Sequence, residues 1–192
     1  MTSAPVRPEN LSAILKGLLS DARGTLQILR DVSFDRAAVY FIVMVGFFAL
    51  PCLLLIGLFA LFLLATSHTL DLLSVLVYLG IFLLIIAGSW LLFSLLVHGV
   101  LLVMGISCRI RETLITGFYA ITPFALLYWV PCIQIITPFW ALGLMVYGLQ
   151  DRQDVPETKA IISVVISVLV LLILEYLMAL LWMRISLPVS FN

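Results

Sequence analysis

Long apolar runs separated by short polar breaks fill the chain after residue 36. A helix needs about 20 apolar residues to cross the hydrocarbon core of a bilayer, so runs of this length indicate membrane spans. The runs predict five spans, at residues 37–65, 72–104, 114–130, 132–149 and 160–183. The expected fold is therefore all-α: a polytopic membrane helix bundle of five transmembrane helices over 37–184, followed by a short outer tail, 185–192.

The first 36 residues follow a different pattern. Leucines recur every three or four positions and are interrupted by charges, which is typical of an amphipathic helix. The leucines that would form its apolar face are Leu11, Leu15, Leu18 and Leu19. This N-terminal segment is too charged to span a membrane, so three roles are open to it: packing against its own bundle, lying on the lipid surface, or docking a partner protein.

Three prolines, Pro123, Pro131 and Pro138, interrupt residues 114–149. A proline inside a helix removes a backbone hydrogen bond and costs about 3 kcal/mol. Pro131 predicts a tight turn, and the other two predict bends in the two arms of the resulting hairpin. Pro51 predicts a similar bend in the first span, so all four prolines are candidate hinges.

Each arm of this hairpin has about 17 residues, just enough to cross. We therefore expect two full crossings. The alternative is a re-entrant hairpin that returns to the side from which it entered, and bent helices that line a substrate path are a further possibility.

The composition agrees with a membrane protein, since 64% of the residues are hydrophobic and only 10% are charged. Ten basic residues balance ten acidic ones, which argues against a nucleic-acid partner held through phosphates. The three cysteines have no paired spacing that would indicate a disulfide framework or a zinc site. No catalytic or nucleotide-binding motif is present, so we expect a protein that is not an enzyme and has no cofactor or metal.

The cations are distributed unevenly. Nine of the ten lie in the N-terminal segment and in the loops around residues 107–113 and 150–159. With five spans these three regions share one side of the membrane. The positive-inside rule then places the N-terminus in the cytoplasm and the C-terminus outside.

Two titratable residues fall inside predicted spans. Glu175 lies in the outer part of the last span, and an acid within a membrane is a candidate for a proton, ion or lipid-headgroup role. The alternative is a structural hydrogen bond or a carboxylate that reaches towards the headgroups. His98 lies near the cytoplasmic end of the second span, too far along its helix to pair directly with Glu175.

The stretch RETLITGFYAITPFALLYWVPCIQIITPFWALGLMVYGLQDRQDV resembles the Yip-type family of five-span membrane proteins. The residues that carry the resemblance are Tyr119-Ala120, Thr122-Pro123, Pro131, Trp140 and Gly148-Leu149, together with the lead-in LQILRDVSFDRAAVYF. The Asp/Tyr/Gly/Pro-rich motif of the eukaryotic, Rab-interacting members is absent. The resemblance therefore implies the bacterial branch and an inner-membrane location.

Three functions fit these observations. The first is a non-catalytic membrane protein that organises partner proteins or lipids through its N-terminal segment. The second is a transporter of a small solute, protons or lipid that uses Glu175. The third is an accessory subunit of a larger membrane complex. The expected partners are membrane lipids and other proteins, including a second copy of the chain.

Overall fold

The computed structural model describes residues 11–65 and 72–186, and it is helical throughout with no strand in these two ranges. The helices are α1 Leu11–Ser20, α2 Ala22–Ile28, α3 Phe34–Ala65, α4 Leu72–Val103, α5 Ile110–Ala120, α6 Thr122–Leu127, α7 Thr137–Gln153 and α8 Glu157–Ser186. Two 3-10 turns, Leu29–Asp31 and Ile133–Ile135, complete the chain path.

Four of the described helical segments are long and apolar enough to cross a membrane: Phe34–Leu55, Leu76–Val103, Ile133–Gln153 and Glu157–Leu181. The predicted span 114–130 differs, because two shorter helices replace it. α5 has 11 residues and α6 has 6, with a break at Ile121. Together with Ile121 they rise about 27 Å at 1.5 Å per residue.

The prolines Pro123 and Pro138 lie in the first turns of α6 and α7, not in helix interiors. Proline is tolerated there because the first N–H groups of a helix have no intrahelical partner. Pro131 lies in the exposed turn between these helices, as the sequence predicts. Pro51 differs from the other three, since α3 continues through it.

The hairpin of α5, α6 and α7 forms the centre of the bundle. α5 contacts α3, α4 and α7, while α8 packs on both α4 and α7. Seven consecutive residues of α5 and its end, 115–121, are buried. Close approach is possible because small residues face the neighbouring helices: a Cβ on Gly117 would overlap the Ser94 hydroxyl, and one on Gly148 would overlap the Thr116 methyl group.

α1 and α2 pack against the outside of this hairpin. α1 contacts α2 and α6, and α2 contacts α7. The turn between α1 and α2 is fixed by Asp21, whose Oδ1 accepts a hydrogen bond from the Gly24 N–H at 3.1 Å. The described buried apolar side chains of this N-terminal segment are Ile14, Leu18, Leu26 and Leu29, which join the main hydrophobic core.

The three longest helices continue well beyond this packed region. We call these continuations the outer segments: Leu53–Ala65 of α3, Leu72–Phe82 of α4 and Leu172–Ser186 of α8. Of the outer-segment residues whose burial the structure describes, all are exposed except Leu79 and Leu180, which are half-buried. Within the described residues, parts of all eight helices therefore join the packed end of the bundle, and only three helices form the other end.

Candidate functional site

Polar side chains gather at the end of the bundle where α4 ends, α5 begins and α7 ends. We call this cluster the polar joint. Its members are His98, Cys108, Arg109, Glu112, Thr113, Arg152 and Gln153. The antiparallel path of α5–α6 and α7 brings the first turn of one arm next to the last turn of the other, which places these residues together.

Arg152 is the most buried charged residue of the joint, with 2% of its side chain exposed. Its Nε and Nη2 atoms donate to Glu112 Oε2 at 2.9 and 2.7 Å. Its Nη1 atom donates to the backbone carbonyl of Leu29. One guanidinium group thus connects α7, α5 and the turn that follows α2, because its planar array of donors can serve several acceptors at once.

Gln153 makes a second connection between the two arms. Its Oε1 accepts from the Arg109 N–H at 3.1 Å, and its Nε2 donates to Thr113 Oγ1 at 3.0 Å. The Arg109 N–H is at the N-cap position of α5 and has no intrahelical acceptor. The Gln153 amide therefore caps α5 from the neighbouring helix.

His98 extends the joint to α4. Its Nδ1 lies 3.3 Å from Thr113 Oγ1 and 3.3 Å from Cys108 Sγ. A cysteine beside a histidine is a possible nucleophile and base, but the reactive form is the thiolate. Burial raises the pKa of the Cys108 thiol, which favours the neutral form at physiological pH. The contact is better suited to holding the α4–α5 connection than to nucleophilic attack.

A polar cavity of about 400 Å³ adjoins the joint. It is lined by Arg30, Ser107, Cys108, Arg109, Glu112, Arg152, Gln153 and Asp154. Arg30 lies 3.8 Å from Asp154, and Arg152 pairs with Glu112. Two of the three cations that line the cavity are thus matched by carboxylates. Within the described ranges, no group of three or more His, Cys, Asp or Glu residues is placed to hold a metal.

Glu175 lies away from this joint, on the outer segment of α8, where it is exposed. The start of α8 lies near the end of α4, since Lys159 Nζ donates to the Met104 carbonyl at 3.5 Å. Counting from this pair, Glu175 and His98 differ by about 15 Å along the helix axes. The structure does not bring the two together, and Glu175 lines neither the polar cavity nor the apolar cavity of about 240 Å³ between α7 and α8.

The leucines of the N-terminal segment lie mainly against the protein. Leu18 is fully buried, and Leu15 and Leu19 are half-buried. The side chain of Leu11, and the loop residue His68, lie outside the described part of the chain. This packing favours the first of the three roles considered for the segment. A partner docking on α1 would meet the exposed side chains of Ser12, Lys16 and Ser20.

Sequence reasoning did not identify the polar joint. The sequence did contain one signal, which is that opposite charges lie near the two ends of the hairpin. Glu112 lies just after its start, and Arg152 lies just before its end. The contact of Arg152 with Leu29 carried no local signal, because 123 residues separate the two.

No protein-family model matches the chain, and comparisons with curated proteins and with solved structures find no match. Membership of the Yip-type family therefore stays a prediction.

Proposed function

We propose that the protein is a non-catalytic integral membrane protein that organises the lipids around it, in the bacterial inner membrane with its N-terminus in the cytoplasm and its C-terminus outside. One observation carries this proposal: the bundle is broad at the end that holds the polar joint and narrow at the other. By the distribution of cations, the broad end is the cytoplasmic one.

The outer segments give the narrow end its surface. Their exposed side chains are mostly leucine, isoleucine, valine and phenylalanine, including Leu54, Leu73 and Ile173. Such side chains belong in hydrocarbon, and helices satisfy their own backbone groups there. A body with the hairpin, α1 and α2 packed around three long helices at one end, and the three long helices alone at the other, excludes more lipid area from the cytoplasmic side. It therefore favours a membrane that curves away from the broad end.

The polar joint supports a structural role for the broad end. Its hydrogen bonds run from one joint residue to another or to the backbone, as in Arg152 with Glu112 and Leu29. This arrangement holds α1 and α2 against the hairpin and so maintains the width of the broad end.

The test uses purified protein reconstituted into vesicles of graded diameter. The outer leaflet of a small vesicle has more area than the inner one, so the broad end should prefer it. We expect the fraction of molecules with residues 1–36 facing outwards, measured by protease access, to rise as the diameter falls. A helix bundle of uniform width is the control. A fraction that does not change with diameter would contradict the proposal.

A second candidate function, membership of a larger membrane assembly, is favoured by the exposure of Glu175. A charged side chain deep in the bilayer costs at least about 2.5 kcal/mol. A neighbouring helix with a hydrogen-bond donor, from another protein or a second copy of this chain, would offset that cost. Native mass measurement after gentle extraction tests this candidate. The wild-type protein should carry a partner, and Glu175→Leu should release it. A wild-type mass equal to that of the monomer would exclude the larger assembly.

The proposal keeps the predicted amphipathic N-terminal helix. It holds for five spans and equally for a hairpin that does not cross fully. The order of cytoplasmic and outer loops is the same whether the hairpin of α5, α6 and α7 crosses fully or turns back. The position of the hairpin tip distinguishes the two arrangements.

A further inference from the structure

We infer that the hairpin of α5, α6 and α7 is re-entrant: it enters the membrane from the cytoplasmic side and its tip, residues 130–136, ends among the acyl chains without reaching the outer surface. Three helices, α3, α4 and α8, then cross the membrane. This inference concerns only where the hairpin ends, and it would hold whether or not the molecule organises lipids.

The first observation is the length of the outer segments. They contain 13, 11 and 15 residues in α3, α4 and α8. At 1.5 Å per residue they rise about 20, 16 and 22 Å. These segments are apolar apart from Glu175 and Arg184, and nearly all of their described side chains are exposed. We therefore place them in hydrocarbon, whose thickness is about 30 Å. Only about 10 Å of the core remains for the packed region.

The second observation places the hairpin tip at the inner end of the outer segments. The ring of Phe48 lies 5.5 Å from Phe124 and 5.0 Å from Trp129 in centroid distance. Cys52, one turn further along α3, is the last residue of that helix that packs against the core among those described. The tip therefore stops about 20 Å short of the far end of α3. A helix tilt of about 40°, the upper end of the usual range, still leaves about 15 Å.

The third observation is the chemistry of the tip itself. All seven residues, 130–136, are exposed, and Gln134 is the only one with a polar amide. The backbone of the turn is bonded internally: the N–H groups of Ile133 and Gln134 both donate to the Val130 carbonyl at 3.1 Å, and Ile136 donates to Ile133 at 2.8 Å. A turn that lies in lipid needs such internal bonding, since no water is available to replace it.

The fourth observation concerns the level of α6, next to the tip. α1 packs against α6, and the α1–α2 hairpin carries the exposed charged residues Lys16 and Asp21. Such side chains reach the headgroup region from a short distance but not from the bilayer centre. Since α1 contacts α6, the level that these side chains require places α6 near the cytoplasmic headgroups, as a re-entrant hairpin requires.

Cys132, at the tip and exposed, is a natural probe. A variant with Cys52→Ala and Cys108→Ser leaves Cys132 as its only cysteine. Reaction with a membrane-impermeant maleimide is measured from outside on intact cells and from inside on inverted vesicles. Ser67→Cys in a background that lacks all three native cysteines is the outer reference, and Thr158→Cys in the same background is the inner one. Elution of each variant as the wild-type species in detergent establishes that it is folded.

We expect Cys132 to react at least tenfold more slowly from outside than the Ser67→Cys reference. A permeant bimane attached to Cys132 should also be quenched by lipids brominated along their acyl chains. Labelling of Cys132 from outside at the reference rate would overturn the inference, and so would the absence of quenching by acyl-chain bromine. The vesicle-orientation experiment, which tests the proposed function, does not depend on Cys132. The proposed function and the re-entrant hairpin can therefore be refuted independently of each other.

Discussion

At the scale of single residues, the Thr-Pro pairs explain how this chain keeps prolines in an apolar bundle. Pro123 has no N–H to bond the carbonyl four residues earlier, which belongs to Tyr119. The Thr122 hydroxyl donates to that carbonyl at 2.6 Å instead. Thr137 does the same for the Gln134 carbonyl, which Pro138 leaves free, at 3.0 Å. Each threonine thus supplies a donor to the carbonyl that the following proline, which has no N–H, cannot bond.

The pair at Thr122 has a second partner. The Tyr40 hydroxyl lies 2.6 Å from Thr122 Oγ1. Because the single hydroxyl proton of Thr122 is used on Tyr119, the Tyr40 hydroxyl is the donor in this contact. Tyr40 on α3 is therefore bonded to the start of α6, which links the first long helix to the hairpin.

Thr122→Val should destabilise the protein by about 1–3 kcal/mol, because two buried polar groups, the Tyr119 carbonyl and the Tyr40 hydroxyl, lose a partner. The measurement is unfolding by denaturant in detergent micelles. Thr122→Ser keeps the hydroxyl and is the matched control. Adding Pro123→Ala to Thr122→Val returns an N–H to the Tyr119 carbonyl and should recover part of the loss; a double variant that is less stable than Thr122→Val would contradict this account.

Arg152 has the corresponding role in the polar joint. Removing one partner of a buried ion pair costs about 3–5 kcal/mol, since the other charge remains without compensation. Glu112 keeps some solvent exposure, so we expect Arg152→Met to fall near the lower end, at about 3 kcal/mol. Protease sensitivity of residues 11–31 should rise as well, because the bond to Leu29 is lost. Arg111→Met, at an exposed arginine of α5, is the control; equal effects of the two substitutions would refute the role of Arg152.

At the scale of helices, the packing of α5 on α7 depends on small residues at the contact. Gly148→Ala should destabilise the protein by about 1–3 kcal/mol, because the new methyl group overlaps Thr116 and overpacks the interface. Gly143→Ala on the same helix meets nothing within 4 Å. It should be neutral or slightly stabilising through the higher helix propensity of alanine. Thermal unfolding in detergent compares the two, and a similar loss for both would show that helix geometry, not the α5–α7 contact, is responsible.

The long helices and the hairpin differ in how far sequence could predict them. α3, α4 and α8 follow directly from long apolar runs, and their observed bounds lie within a few residues of the expected ones. The split of 114–130 into α5 and α6 was not predicted, although Pro123 marks it. Whether a proline bends a helix or begins a new one depends on the partner that its free carbonyl finds, and hydropathy does not report that partner.

The candidate site was less predictable than the helices. Glu175 and His98 were chosen because titratable residues are rare in membrane spans, and that criterion does not report which polar groups meet. Arg152 meets Glu112 and Leu29 only when α2, α5 and α7 are packed together. The burial of Leu18 also depends on how the helices pack. The sequence shows that this segment has an apolar face, but not which part of the protein or membrane covers that face.

At the scale of the whole molecule, the proposed function requires that the protein place more helices in one leaflet than in the other. α5, α6 and α7 pack on α3, α4 and α8, and α1 and α2 pack in turn on α6 and α7. Nothing within the described residues covers the outer segments, apart from the half-burial of Leu79 and Leu180. Lipid or a partner helix must fill that space in a membrane, and the width of the broad end is then what distinguishes the surface of the protein in one leaflet from that in the other.

The most direct test is a density map of the protein in a lipid nanodisc, with a rigid antibody fragment bound to the cytoplasmic side as a marker. Sections parallel to the membrane give the number of helical rods at each depth. The account predicts three rods in the outer leaflet and additional rods from the hairpin only on the cytoplasmic side. Five rods at every depth of the hydrocarbon would contradict it.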